Sequence, residues 1–191
     1  MVNNNLVFYI KYFIIVKSVS GNQKAIMIKQ SAGILLYKWV GELIMVFLVH
    51  PGGPYNKNKD EGSWSIPKGE FQEEQDAFGT ALREFEEETG QKINGEFIPL
   101  NPVRQSIRKI VSAWAIEGDI NADNIHSNTF KLEWPPQTGK IHEFPEVDKG
   151  AWFTITEAKS KIIKGQIDFL DQLHVILKGD DTRPDNCYSN K

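Results

Sequence analysis

The order of strand-like and helix-like runs predicts an α/β fold, an α/β/α sandwich built on a mixed β-sheet. Three observations carry that expectation. β-rich runs lie both before and after one central helix, that helix has separate apolar and acidic sides, and the last strand gives way to a helical stretch. Ala32 to Trp39 and Leu43 to His50 read as strands joined by a turn at Gly41. Pro51-Gly52-Gly53-Pro54 stops the second strand, and Tyr55 to Gly62 is a polar loop. Trp64-Ser65-Ile66-Pro67 reads as a short strand leading to Gly69. Asp76 suits the N-cap of a helix that closes at Gly90. Glu96 to Arg104 and Lys109 to Glu117 read as paired strands, Gly118 to Gly139 as a long connection, and Ala151 to Ile155 as a further strand. Thr156 to Lys178, broken at Gly165, predicts two short helices with Ile162, Ile167, Leu170, Leu173 and Ile176 buried.

At 191 residues, 40% apolar and 25% charged, the chain has the makeup of one globular domain with a sizeable core. A net charge of −3 gives no reason to expect nucleic acid or an anionic membrane as the main ligand. The single cysteine, Cys187, excludes an internal disulfide and fits a reducing, cytoplasmic setting. Residues 1–26 form an N-terminal extension unlike the rest. Its apolar run, LVFYIKYFIIV, is eleven residues interrupted by Lys11, too short to span a bilayer. MVNNN carries no charged side chain, and no small-residue cleavage site follows. The extension reads as an added strand or as a mis-assigned start, with Met27 opening the domain; the second reading is preferred. The domain is expected over residues 27–180, with a polar tail over 181–191 and no repeat or second domain. The sequence is silent on oligomeric state.

The most informative stretch is Gly69 to Gly90, GEFQEEQDAFGTALREFEEETG, which places four carboxylates within five residues near a helix end. With Glu84 at zero, Glu87 and Glu88 fall at about 300° and 40° around the helix. Phe78, Ala81, Leu82 and Phe85 fall at about 60–160°, a separate stripe suited to a core. Like charges at these spacings repel, and negative charge near a helix C-terminus opposes the macrodipole. Each penalty is a few tenths of a kcal/mol up to about 1, and all have the same sign. A divalent cation reverses it, and hard oxygen ligands suit Mg²⁺ or Mn²⁺ held together with substrate phosphates. An acidic face that only keeps a helix soluble is the simpler alternative.

The same stretch resembles the signature of the Nudix hydrolases, Gly-x5-Glu-x7-Arg-Glu-apolar-x-Glu-Glu-x-Gly-apolar. Gly69, Arg83-Glu84-Phe85, Glu87-Glu88 and Gly90 fill it without insertion or deletion. Two positions depart: Gln75 stands at the first glutamate and Gln91 at the final apolar residue. Gln75 keeps an acceptor oxygen but loses the charge, which puts full activity in doubt more than the fold. The resemblance implies the Nudix fold over roughly Gln30 to Leu177. It also implies Mg²⁺-dependent cleavage of a pyrophosphate bond in a small-molecule nucleotide, a nucleoside diphosphate linked to another group. On that basis Glu84, Glu87 and Glu88 are metal ligands with the Gly69 carbonyl, and Arg83 orients the carboxylates.

The general base is sought in His142-Glu143-Phe144-Pro145-Glu146, with Glu146 first and Glu143 second; His142 and His50 are further candidates. Lys68, Arg104, Arg108 and Lys109 offer cations for phosphates. Tyr55, Trp64, Phe130 and Trp134 offer faces that stack on a base. The phrases HPGGP, WSIPKGE, SNTFKLEWPP and EFPEVDKGAWF look like a Nudix group near the dinucleoside polyphosphate (diadenosine tetraphosphate) hydrolases. A nucleoside triphosphate pyrophosphohydrolase and a catalytically weakened nucleotide-binding regulator are the alternatives.

Overall fold

The computed structural model describes residues 27–72 and 76–179. Its elements are β1 (Lys29–Val40), β2 (Leu43–Pro51), β3 (Lys68–Phe71), α1 (Ala77–Thr89), β4 (Phe97–Ser106), β5 (Lys109–Glu117), β6 (Thr129–Glu133), β7 (Ile141–Pro145), β8 (Val147–Thr154), α2 (Ile155–Lys161) and α3 (Ile167–Lys178), with a 3₁₀ turn at Lys164–Gln166. The expectations for the 1–26 extension, for Gln75 and for the 181–191 tail lie outside the described residues.

β1 is the hub of the sheet. One edge pairs in parallel with β5, from Lys29 opposite Lys109 to Tyr37 opposite Glu117. The other edge is shared: Gln30–Gly33 pair with β3 and Tyr37–Val40 with β2, both antiparallel. With β4 beside β5 and β8 beside β2, the order is β4-β5-β1-β2-β8, and β3 lies off that path. One parallel pairing among antiparallel ones makes the sheet mixed.

Both faces of this sheet are covered, so β1 is a nearly unbroken apolar run, Ala32 to Tyr37. Successive side chains still alternate. Ala32, Ile34 and Leu36 join Phe47, Val49, Ala77, Ala81 and Phe85 beneath α1. Leu35 and Tyr37 join Val46, Leu48, Val111 and Ala113 beneath Ala158, Ile162, Phe169, Leu170 and Leu173 of the C-terminal helices. The layers are helix, sheet, helices.

Four details differ from the sequence reading. Trp64–Pro67 forms isolated bridges to Val49 and Ile162, and regular pairing begins only at Lys68. Pro67 has no N–H to give a ladder, though its carbonyl accepts from Ile34 at 3.0 Å. The connection after Gly118 contains half of a hairpin, β6 paired with β7 from Thr129 opposite Pro145 to Glu133 opposite Ile141. Its strands are five residues each and mostly half-exposed or exposed, too short and polar to stand out. β8 starts at Val147, ahead of the apolar run. In α3, Phe169 is fully buried while Ile176, on the flank of the stripe in the last turn, is 46% exposed.

This placement has a direct consequence for stability. Phe169→Ala should cost about 3–5 kcal/mol in urea unfolding. Ile176→Ala should stay within about 0.5 kcal/mol of the parent; equal costs would mean that α3 packs with a different face.

Candidate active site

Helix α1 is bounded by its own side chains. Asp76 accepts hydrogen bonds from the Phe78 and Gly79 amides at 3.1 and 3.0 Å. At the other end Gly90 takes the left-handed conformation, φ 73°, and its amide closes on the Glu86 carbonyl at 2.7 Å. Phe85 and Ala81 are buried on the sheet, and Phe78 sits edge-on to Phe97 and Trp114 at 5.0 and 5.2 Å. That fixes the rotation of the helix and leaves the acidic side toward β3. The last turn carries no basic residue to offset the dipole.

The carboxylates find three separate partners. Arg83 forks between two of them, Nη2 to Glu84 Oε1 at 2.5 Å and Nη1 to Glu87 Oε2 at 2.6 Å. Glu84 also lies flat against the backbone of Gly69: a Cβ there would stand 1.8 Å from the Glu84 carboxyl carbon. Glu88 turns to β3 and accepts the Lys68 amide at 3.0 Å. Burial raises the pKa of Glu84, against the pull of Arg83, with Glu87 and Glu146 adding to the rise. Glu88 is pushed up to about 7, chiefly by burial, with Lys68 opposing. In both, burial outweighs the cations within reach.

Glu146 arrives from the far side of the chain. It sits at the junction of β7 and β8, and its charge is felt by both Glu84 and Glu88. Its backbone is held on both sides, the amide by the Asn128 carbonyl and the carbonyl by the Gly52 amide, each at 2.8 Å. Lys68 faces Glu88, Glu84 and Glu70 but also Lys109, and burial lowers the pKa of its ammonium. Glu70, bound by Lys29 and Lys109, carries a lowered pKa in turn. Beside this edge an open groove of about 460 Å³ runs along Arg83, Glu86, Glu87, Gly90, His126, Ser127 and Asn128.

The other sequence candidates divide. Lys109 joins Lys68, whereas Arg104 gives a hydrogen bond to the Ile107 carbonyl at 3.1 Å in the β4–β5 turn, and Arg108 sits exposed in the same turn. Tyr55 is 57% exposed and edge-on to Trp134 at 5.1 Å. Trp64 is in the core instead, between His50 and Phe153, with its indole N–H on Asp60. It has no face left for a base. Phe130 lies under Gly53 and against Phe144. Glu143 is engaged by the Thr129 hydroxyl on the β6–β7 hairpin, where His142 lies opposite Leu132. His50 is buried with both ring nitrogens engaged, which removes it as a base in the cleft. Glu70, Asn128 and the His126 wall of the groove escaped the sequence reading: the pairing of β3 with β1 places Glu70, and the His126 and Asn128 amides reach α1 through the Thr89 and Glu87 carbonyls from a long connection.

The family model of the NUDIX domain matches residues 27–173. The chain belongs to the NUDIX family. As a Nudix hydrolase it is a pyrophosphohydrolase for substrates in which a nucleoside diphosphate is joined to another group. A search of curated sequences gave no significant match. Among solved structures the fold is similar to a Caenorhabditis elegans Ap4A hydrolase (18% identity, TM-score 0.56, covering 80% of this chain and 100% of that one). It is also similar to the Nudix domain of Shewanella oneidensis NrtR in complex with ADP ribose (15% identity, TM-score 0.55, 81% and 90%). A mutT/nudix protein from Listeria innocua follows at 17% identity and TM-score 0.51, covering 78% and 94%. At these identities the likeness is one of fold.

Nudix hydrolases generally use divalent metals, and the donor set here suits a hard cation. The carboxylates are oxygen donors, two have raised pKa values, and a missing side chain at Gly69 leaves Glu84 room against the strand. Among the described residues no three acidic, histidine or cysteine side chains are already gathered for an ion. Arg83 takes one oxygen of Glu84 and one of Glu87, and these two bonds do not use the second oxygen of either carboxylate.

The Glu88 shift fixes the sign of a pH effect in the metal-free protein. Between its ordinary 4.5 and about 7, the folded protein keeps a proton that the unfolded chain has released. Stability contributed by Glu88 is therefore full below pH 4.5 and is lost as the pH rises toward 7, on the order of 1 kcal/mol per pH unit at most. In EDTA, the stability of the parent relative to Glu88→Gln should fall from pH 5 to pH 7. A rise would show that Glu88 is stabilised as an anion.

Proposed function

We propose that this Nudix hydrolase cleaves a dinucleoside polyphosphate in a Mg²⁺-dependent reaction, with Mn²⁺ able to substitute. The observation that carries the reading is Glu84 against the bare backbone of Gly69 and Glu88 on the Lys68 amide, two half-buried carboxyls with raised pKa values on one edge. A nucleotide's polyphosphate supplies anions for the lysines and, with its cation, resolves the carboxylate surplus.

Glu84, Glu87 and Glu88 would hold the cation, with the Gly69 backbone beside them. When bound, the ion polarises phosphoryl oxygens and lowers the pKa of a water. Arg83 keeps Glu84 and Glu87 aimed. Lys68 and Lys109 receive phosphate oxygens, and Arg104 and Arg108 lie one hairpin turn away from Lys109. Water attacks one phosphorus, the bridging P–O bond breaks, and the water's proton passes to a carboxylate oxygen of Glu146. Tyr55, the exposed ring on the loop that binds the Glu146 carbonyl, stacks on a base. The fold shared with the C. elegans Ap4A hydrolase is consistent with this substrate class. A cytoplasmic location accords with a nucleotide substrate, and among the described residues no helix is long and apolar enough to cross a membrane.

A second reading, a nucleotide-binding regulator with weakened catalysis, is favoured by one feature: Gln75 in place of the signature glutamate. One experiment separates them. With Mg²⁺, a panel of dinucleoside polyphosphates, nucleoside triphosphates and nucleotide sugars should give turnover, fastest on a dinucleoside polyphosphate. Glu88→Gln should lower kcat/KM by about 100-fold or more, near 3 kcal/mol in barrier. Tyr55→Ala should raise KM for the best substrate by about 10-fold, from a lost stacking contact of 1–3 kcal/mol. Binding across the panel without turnover would support the regulator.

A further inference from the structure

His50 closes β2 with no exposed surface, and the chemistry described above makes no use of it. Its Nδ1 lies 2.8 Å from Asp148 Oδ1 and its Nε2 lies 2.8 Å from the Lys59 carbonyl oxygen. A carbonyl oxygen and an ionised carboxylate only accept. The ring thus stands between two acceptors on two segments, the Lys59 loop and β8.

The surroundings hold this ring in place. Trp64 packs edge-on at 5.2 Å and gives its indole N–H to Asp60 at 2.8 Å. Asp60 is bound by Lys161, and the Lys149 ammonium stands 5.3 Å from the Trp64 ring centre. The charged groups about His50 are thus Asp148, Asp60, Lys149 and Lys161. The spaced phrase from His50 through Lys59-Asp60 to Trp64 forms one spatial cluster.

The cluster stands next to the candidate base. His50 is opposite Lys149 and Pro51 opposite Val147, so Asp148 is an extra residue, a bulge in β8. Two residues before it is Glu146, whose carbonyl accepts the Gly52 amide two residues after His50. We propose that His50 is a positioning residue: its ring ties the Lys59 loop to the Asp148 bulge and so holds Glu146 toward Glu84 and Glu88. The catalytic consequence rests on Glu146 as proton acceptor; the tie itself does not.

Two variants test the tie and its consequence apart. Asp148→Ala removes one of the two ring contacts, so exchange of the Gly52 amide should become faster; unchanged exchange there overturns the pairing. For positioning, His50→Phe keeps a flat ring against Trp64 but no donors. Exchange of the Gly52 amide should become at least 10-fold faster, and kcat on the best substrate at least 10-fold lower with KM within 3-fold. Unchanged Gly52 exchange and kcat overturn the positioning role. If the Phe variant does not fold, His50→Gln carries the same readouts. If the protein turns over no nucleotide at all, the Gly52 exchange still decides the structural claim.

Discussion

The contact on which the site depends is the one between a carboxylate and a bare backbone. Glu84 occupies the space that any side chain at residue 69 would need. This close approach lets α1 settle on β3, and once it does, Glu88 is near enough to take the Lys68 amide. The helix is held at its other surface by Phe85 and Ala81, so it cannot roll to relieve the crowding. Packing therefore sets the electrostatics: apolar burial on one side presses charge into a half-buried edge on the other.

That edge is balanced by cations that only partly meet the need. Arg83 answers Glu84 and Glu87, yet Glu84 remains harder to ionise than a free carboxyl because burial outweighs the guanidinium. Lys68 is itself weakened as an acid–base partner by burial and by Lys109. Adding Glu146 from the β7–β8 junction deepens the deficit. Without a further positive charge, the arrangement costs stability. With a divalent cation and a polyphosphate it becomes complementary to charge spread over both. On the proposed function that cost serves the site, and the packed scaffold around β1 offsets it.

Much of this was legible in the sequence, and the reasons differ by region. Asp76 and Gly90 mark the ends of α1 because capping is local chemistry, and the apolar stripe faces the sheet because helical periodicity is local too. The spacing from Gly69 to Glu88 sets Glu84 and Glu88 against β3 for the same reason. Strand pairing is not local. Nothing in the order of residues says that β1 pairs with β5 on one edge and divides the other between β3 and β2, and those pairings bring Lys109 to Glu70 and Lys68. Trp64 shows the converse: an aromatic in a polar stretch looks free to stack on a base, but the bridges at Ser65 and Ile162 draw it into the core. The β6–β7 hairpin escaped notice because five half-polar residues carry little periodic signal.

The claim at the centre is that the Glu84–Glu88 edge beside Gly69 is a divalent-cation site. Titration of the protein with Mn²⁺, followed by electron paramagnetic resonance of the free ion, tests this without any assumed substrate. Saturable binding in the parent that is weakened at least 10-fold in a Glu84→Gln, Glu88→Gln variant is the outcome this account requires. Equal Mn²⁺ binding by parent and variant, with the variant folded, would contradict it.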